Sequence, residues 1–108
     1  MSRFDLYKSP GMNFVETAEA LARSLGIEFV MHESDYIGGD YFLGRAPMAD
    51  AEVQVVPNYV DDEGYRLEPE VETSDVLVYI SGEPGAVERL AVALPTSVQL
   101  VRSEGGLA

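Results

Sequence analysis

The stretch Asp75–Pro95, DVLVYISGEPGAVERLAVALP, constrains this chain more than any other. Val76-Leu77-Val78-Tyr79-Ile80 is an unbroken apolar run bounded by Asp75 on one side and Ser81-Gly82 on the other. A run like that suits a strand with both faces covered, which places it in the middle of a sheet. The period then changes. Val87, Leu90, Ala91 and Leu94 recur at helical spacing, Pro84 fits a first helical turn, and Pro95 stops the helix. Ser97-Val98-Gln99-Leu100-Val101 supplies a returning strand and completes a β–α–β unit.

The N-terminal third has the same form. Arg3–Tyr7 alternates, with Phe4 and Leu6 on one face, and Ser9-Pro10-Gly11 breaks it. Asn13 followed by Glu16 has the form of a capping box. Val15, Ala18, Ala22 and Leu25 then fall on one helical face, with Leu21 beside them, and Gly26 fits a left-handed cap. Ile27–His32 reads as a strand with Ile27, Phe29 and Met31 sharing a face.

Between the units, Gly38-Gly39 separates Tyr36-Ile37 from Asp40–Leu43, a hairpin signal because primed turns need positive φ. Arg45-Ala46-Pro47-Met48 is the expected turn before a strand over Glu52–Val56, which Pro57-Asn58 ends. Val60–Ser74, VDDEGYRLEPEVETS, has no period and reads as a long surface loop of a kind that often carries function. Glu104–Ala108 reads as a frayed tail. The order β-α-β-β-β-loop-β-α-β predicts a two-layer α/β (α+β) sandwich. Its mixed β-sheet would have about five or six strands, with two helices on one face. The other face would be partly open, carrying Tyr7, Val30, His32, Gln54 and Gln99. With 108 residues the expectation is a single domain over 1–108.

Charge narrows the partners. Nineteen Asp and Glu face seven Lys and Arg, a formal net charge of −12. That disfavours direct binding to nucleic acid or an anionic membrane, and favours a basic protein if there is a partner at all. The plain alternative is that acidity serves solubility. The absence of Cys excludes disulfides, thiolate metal sites and a cysteine nucleophile. The N-terminus lacks a signal-peptide apolar core, and no run approaches the roughly 18–20 apolar residues of a membrane span. A cytoplasmic protein is expected, as a monomer or weak dimer.

Candidate chemistry is sparse. His32-Glu33-Ser34-Asp35 alone brings an imidazole near carboxylates. In a strand, however, His32 and Glu33 face opposite ways, and no second His exists to complete a metal site. An outward strand histidine is the favoured reading. Ser81-Gly82-Glu83-Pro84-Gly85 stands where phosphate loops occur, yet it matches neither Walker A nor GxGxxG, and Glu83 would repel phosphate. No metal, cofactor or catalytic residue is therefore expected. The acidic loop is sharper. Tyr59, Tyr65 and Leu67 are interleaved with Asp61, Asp62, Glu63, Glu68, Glu70 and Glu72, a composition suited to a protein-contact epitope. Calcium spacing is missing there. The hairpin adds Asp35, Tyr36, Asp40 and Tyr41, and the two clusters would make one anionic patch if the loop folds against the hairpin. Ordinary strand packing is the alternative use of Tyr36 and Tyr41.

A small acidic α/β chain with the hairpin Ser34–Phe42, then Val55-Val56-Pro57-Asn58-Tyr59, then Glu68-Pro69-Glu70, resembles the small immunity proteins of bacterial polymorphic-toxin systems, including contact-dependent inhibition. The resemblance implies a non-enzymatic inhibitor that binds a cognate toxin, often a basic nuclease, and occludes its active site. It transfers no defined positions. The candidate partner-binding residues therefore come from the acidic–aromatic reading: Asp35, Tyr36, Asp40, Tyr41, Tyr59, Asp61, Asp62, Glu63, Tyr65, Glu68, Glu70 and Glu72. The competing classes are a nucleic-acid mimic, which needs carboxylates spaced along an extended surface, a structural subunit, and a small enzyme using His32.

Overall fold

In a computed structural model, which describes residues 2–46, 48 and 50–105, the Val76–Ile80 run becomes β5 (Val76–Gly82), with neighbours on both edges. Val76, Val78 and Ile80 point to one side, Leu77 and Tyr79 to the other, and all but Tyr79 are fully buried. The remaining strands are β1 (Arg3–Ser9), β2 (Phe29–Ser34), β3 (Gly39–Arg45), β4 (Ala51–Pro57) and β6 (Gln99–Gly105). They form one sheet in the order β2-β3-β4-β5-β1-β6. Two helices, α1 (Phe14–Leu25) and α2 (Pro84–Val92), pack over the same face, so the described residues form a two-layer α/β sandwich.

Hydrogen-bonded neighbours are antiparallel throughout rather than mixed. The physical reason is strand insertion. The two strands of each β–α–β unit run the same way, but β1 enters between β5 and β6, and β3, β4 and β5 separate β1 from β2. No parallel pair ever meets.

Local signals explain the helices. In α1 the Asn13 side chain accepts from the Glu16 N–H at 2.8 Å, and the Glu16 carboxylate accepts from the Asn13 N–H at 3.0 Å. The pair satisfies donors that have no partner within the helix. Gly26 ends the helix at φ 67, a left-handed conformation that glycine adopts without steric cost. The buried stripe is rotated from the expected one. Thr17, Ala18 and Leu21 are buried, Phe14 stacks obliquely on Phe42 at 4.7 Å, and Val15 is half exposed. The larger Phe14 side chain takes the place at the sheet that the periodicity assigns to Val15. Helix α2 buries Val87 and Leu90 as expected, with Ala86 beside them, while Ala91 and Leu94, the latter past the helix end, are partly buried.

Tyr7 also lies on the side opposite to its expected one. It is buried beneath the helices, and its hydroxyl donates to Asp5 at 3.2 Å. Phe4 and Leu6 share a face, and that face carries no helix. The face is nonetheless covered around Leu6, Val56 and Leu77, because the segment between β4 and β5 lies across it and plugs it with Val71. Its β2–β3 end stays open, with Val30 and His32 exposed.

Several boundaries differ from expectation: β2 runs Phe29–Ser34 rather than Ile27–His32, and β6 starts at Gln99 rather than Ser97. The hairpin turn is Asp35–Gly38, so Tyr36 and Ile37 stand at its tip rather than in a strand. Glu104 and Gly105 belong to β6, paired with Phe4 and Arg3; residues 106–108 of the expected tail lie outside the described ones, as does Pro47 of the expected turn before β4.

Candidate functional site: an acidic cleft between the hairpin and its strap

The segment from Asn58 to Asp75 contains no helix or full strand, yet it is held at several points. Asn58 is buried, and its side chain does the work of a strand partner. Its Oδ1 accepts from the Glu68 N–H at 2.9 Å, while its Nδ2 donates to the carbonyls of Glu68 at 3.2 Å and Val71 at 2.9 Å. Further out, Asp61 Oδ1 accepts from the N–H groups of Glu63 and Tyr65, both at 2.9 Å. This is the local turn that an Asp side chain readily makes. A bridge between Val60 and Arg66 closes the same small loop. The segment is a strap, not a free loop.

The strap meets the hairpin through Tyr59. Its ring lies against Gly38 and Gly39, and its hydroxyl donates to the Asp40 carbonyl at 2.7 Å. A Cβ at Gly38 would stand 3.0 Å from Tyr59 Cβ, and one at Gly39 would stand 2.9 Å from the Tyr59 oxygen. The glycine pair therefore serves two ends. It permits φ of 118° and 153°, and it leaves a flat seat for the ring. Burial pushes the Tyr59 phenol pKa up, and the nearby Asp40 charge adds to the shift.

The loop does fold against the hairpin, the condition for one joint patch. A cleft of about 300 Å³ runs between them, with Asp35 and Tyr36 on one wall, Asp61 and Tyr65 on the other, and Tyr59 at its base. Tyr36 is 98% exposed and Tyr65 is 67% exposed. Asp40, Asp62 and Glu63 are exposed nearby in the chain, so this end of the sheet presents carboxylates and aromatic rings together.

Four of the candidate residues stand apart. Glu68 is only 8% exposed. It accepts from the Tyr79 hydroxyl at 2.6 Å and from Arg102 at 3.0 Å, so its charge is matched inside the protein and is absent from the outer surface. Glu70 is exposed but also bonds Arg102. Glu72 is exposed on the strap, with its carbonyl turned to Asn58. Tyr41 is half-buried and stacks on His32 at 5.6 Å between ring centres, packing against the strap-side core.

Asn58, Tyr79 and Arg102 organise this region and were not among the candidates. Burial pushes the Tyr79 phenol pKa up, reinforced by its bond to Glu68, and Glu68 raises that of Arg102. Arg102 reaches Glu68 because β6 bulges opposite Leu6 and Tyr7. Leu6 pairs with Arg102 and Tyr7 with Leu100, so Val101 is the extra residue, and it joins the same strap-side core. One sequence signal was available: Val71 is an isolated apolar residue among carboxylates, which fits a plug better than a solvated run.

The remaining motifs are accounted for locally. Glu83 caps α2, accepting from the N–H groups of Gly85 and Ala86 at 3.3 and 3.2 Å, so the protein's own carboxylate fills the place a phosphate would take. Among the described residues, no three His, Asp or Glu side chains converge where a metal ion could be held. No described helix is long and apolar enough to cross a membrane. No family model, curated protein or solved structure matches this chain.

Proposed function

We propose that this protein is a binding module of the immunity type, which neutralises a basic toxin by covering its active site and has no catalytic residues of its own. The reading is supported chiefly by one observation. The hairpin tip and the strap form a single cleft that Asp35, Tyr36, Asp61 and Tyr65 line together, on a chain of net charge −12. Carboxylates there would meet the Lys and Arg that hold substrate phosphates in a nuclease-like partner. Tyrosines would supply the desolvated anchors. Long-range attraction can raise association to about 10⁸–10⁹ M⁻¹s⁻¹ at low salt, which suits an inhibitor that must act before damage occurs. Glu68 takes no part in this surface, since Arg102 and Tyr79 already match it.

The test is capture of partners from the native lysate at low and moderate salt, followed by association kinetics with whatever is retained. A basic toxin whose on-rate falls with salt, and falls again in the Asp62→Asn/Glu63→Gln double variant, is the expected result. Association indifferent to both would reject the steering role. Self-association without any basic ligand would instead favour a structural subunit.

A further inference from the structure

We infer that Tyr36 and Ile37 form a ridge dividing two neighbouring receptor sites, and that together these take a partner segment carrying a Lys or Arg beside a bulky apolar residue. The inference rests on the binding-module reading above and specifies the chemistry of what is bound.

On one side of the ridge is the acidic cleft. Tyr36, Tyr59 and Tyr65 line it together with Asp35 and Asp61, in about 300 Å³. Aromatic rings and carboxylates bordering one open cleft attract a cation, through the ring quadrupoles and the formal charges together. Arg66 also borders the cleft, but its guanidinium is turned to the Pro69 carbonyl. On the other side is a groove of about 310 Å³ with a different character. Phe4 and Tyr79, 5.5 Å apart between ring centres, line it with Leu67, Gln54 and Glu68, whose charge Arg102 matches, and Tyr36 and Ile37 border the near side. An open apolar groove beside a cation-attracting cleft is matched by a basic residue next to an apolar one. A strongly acidic chain selects such a segment from a basic protein rather than from a second copy of itself.

The ridge is held in advance. The Gly38 N–H donates to the Ser34 carbonyl at 3.0 Å, and the Ile37 N–H donates to the Ser34 hydroxyl at 3.3 Å. Tyr36 therefore stands out from a fixed turn, and binding orders little new backbone.

The experiment is an amide NMR titration of the full chain with the probe peptide acetyl-Gly-Arg-Leu-Gly-amide, beside peptides with Gln for Arg and Ala for Leu. The expected result is movement of the Gly38 and Tyr65 signals that needs the Arg, and of the Gln54 and Tyr79 signals that needs the Leu. Tyr36→Ala, at a fully exposed turn position, should weaken binding by about fivefold, whereas Val15→Ala on α1 should change nothing. Shifts that follow charge over all carboxylates, Glu19 and Glu88 included, would overturn the two-site assignment, as would a Tyr36→Ala protein that titrates like the parent. A basic toxin bound equally well by Tyr36→Ala would sink this inference and leave the inhibitor reading standing. Two-site peptide binding with no toxin among the captured partners would do the reverse.

Discussion

The Asn58 side chain grips the backbone of Glu68 from both sides, accepting from its N–H at 2.9 Å and donating to its carbonyl at 3.2 Å. One amide thereby replaces a rung of sheet in a segment whose backbone makes a single bridge, between Val60 and Arg66. Asn58→Ala would leave buried backbone groups of Glu68 and Val71 without partners, at about 1–3 kcal/mol for the first such group. Chemical denaturation should show a loss of at least that size. A loss within experimental error would mean that the strap is held by Val71 burial alone.

Gly38 lies at φ 118°, with Tyr59 packed where its Cβ would be. Gly38→Ala should cost about 1–3 kcal/mol through backbone strain, and should also loosen the hairpin from the strap. The check is thermal unfolding together with hydrogen exchange at Tyr59 and Leu67. Gly11 has positive φ but nothing near its Cβ, so Gly11→Ala separates strain from collision.

Arg102 and Glu68 form a pair that is poorly exposed on the Glu side and about one-third exposed on the Arg side. Arg102→Met leaves Glu68 beneath the strap without its cation. Full burial would make that cost about 3–5 kcal/mol; solvent reaching the Arg102 end lowers the expectation to about 2 kcal/mol. Adding Glu68→Gln should recover most of the loss, which a double-mutant cycle measures directly. Additive losses would show that the two side chains act separately.

Asp5 and Tyr7 give stability opposite dependences at the two ends of the pH scale. Burial would raise the Asp5 pKa, but hydrogen bonds from Arg3, Ser103 and Tyr7 outweigh it and hold the carboxyl below its ordinary 3.8. A carboxylate depressed on folding stabilises the protein above that ordinary value, and the contribution is lost as pH falls through the folded pKa. Tyr7 is pushed up from 10.0 to about 12, first by burial and then by the Asp5 charge. Its contribution is complete below pH 10 and is lost between 10 and about 12. Denaturation midpoints of the parent and of Asp5→Asn across acid pH should converge as the pH drops. At the alkaline end, Tyr7→Phe should flatten the decline above pH 10. Parallel curves at either end would remove the residue from the pH dependence.

The sequence carried the elements better than their arrangement. A buried apolar run, a capping box and a glycine after a helical stripe are local signals, and β5, α1 and α2 follow from them. Which face Tyr7 takes depends on which side the helices cover, and alternation within one strand cannot say. The antiparallel insertion of β1 is likewise a matter of distant pairing. At the site, the meeting of Tyr59 with Gly38-Gly39 was within reach, since two adjacent glycines invite a ring to lie on them. The role of Glu68 was not. Among carboxylates of one composition, only the bulge that brings Arg102 over Leu6 decides which of them goes inside.

The position of β1 between β5 and β6 has a consequence for how the chain is made. Its first strand pairs only with strands formed near its other end, Arg3 with Gly82 on one side and with Gly105 on the other. One edge of that strand must wait for β5 and the other for β6. A sheet closed by its most distant segments folds slowly for its size, because loop-closure entropy is lost before the pairing can offset it. Until then Phe4-Asp5-Leu6-Tyr7 is open to any strand that meets it, which makes β1 a point where misassembly begins.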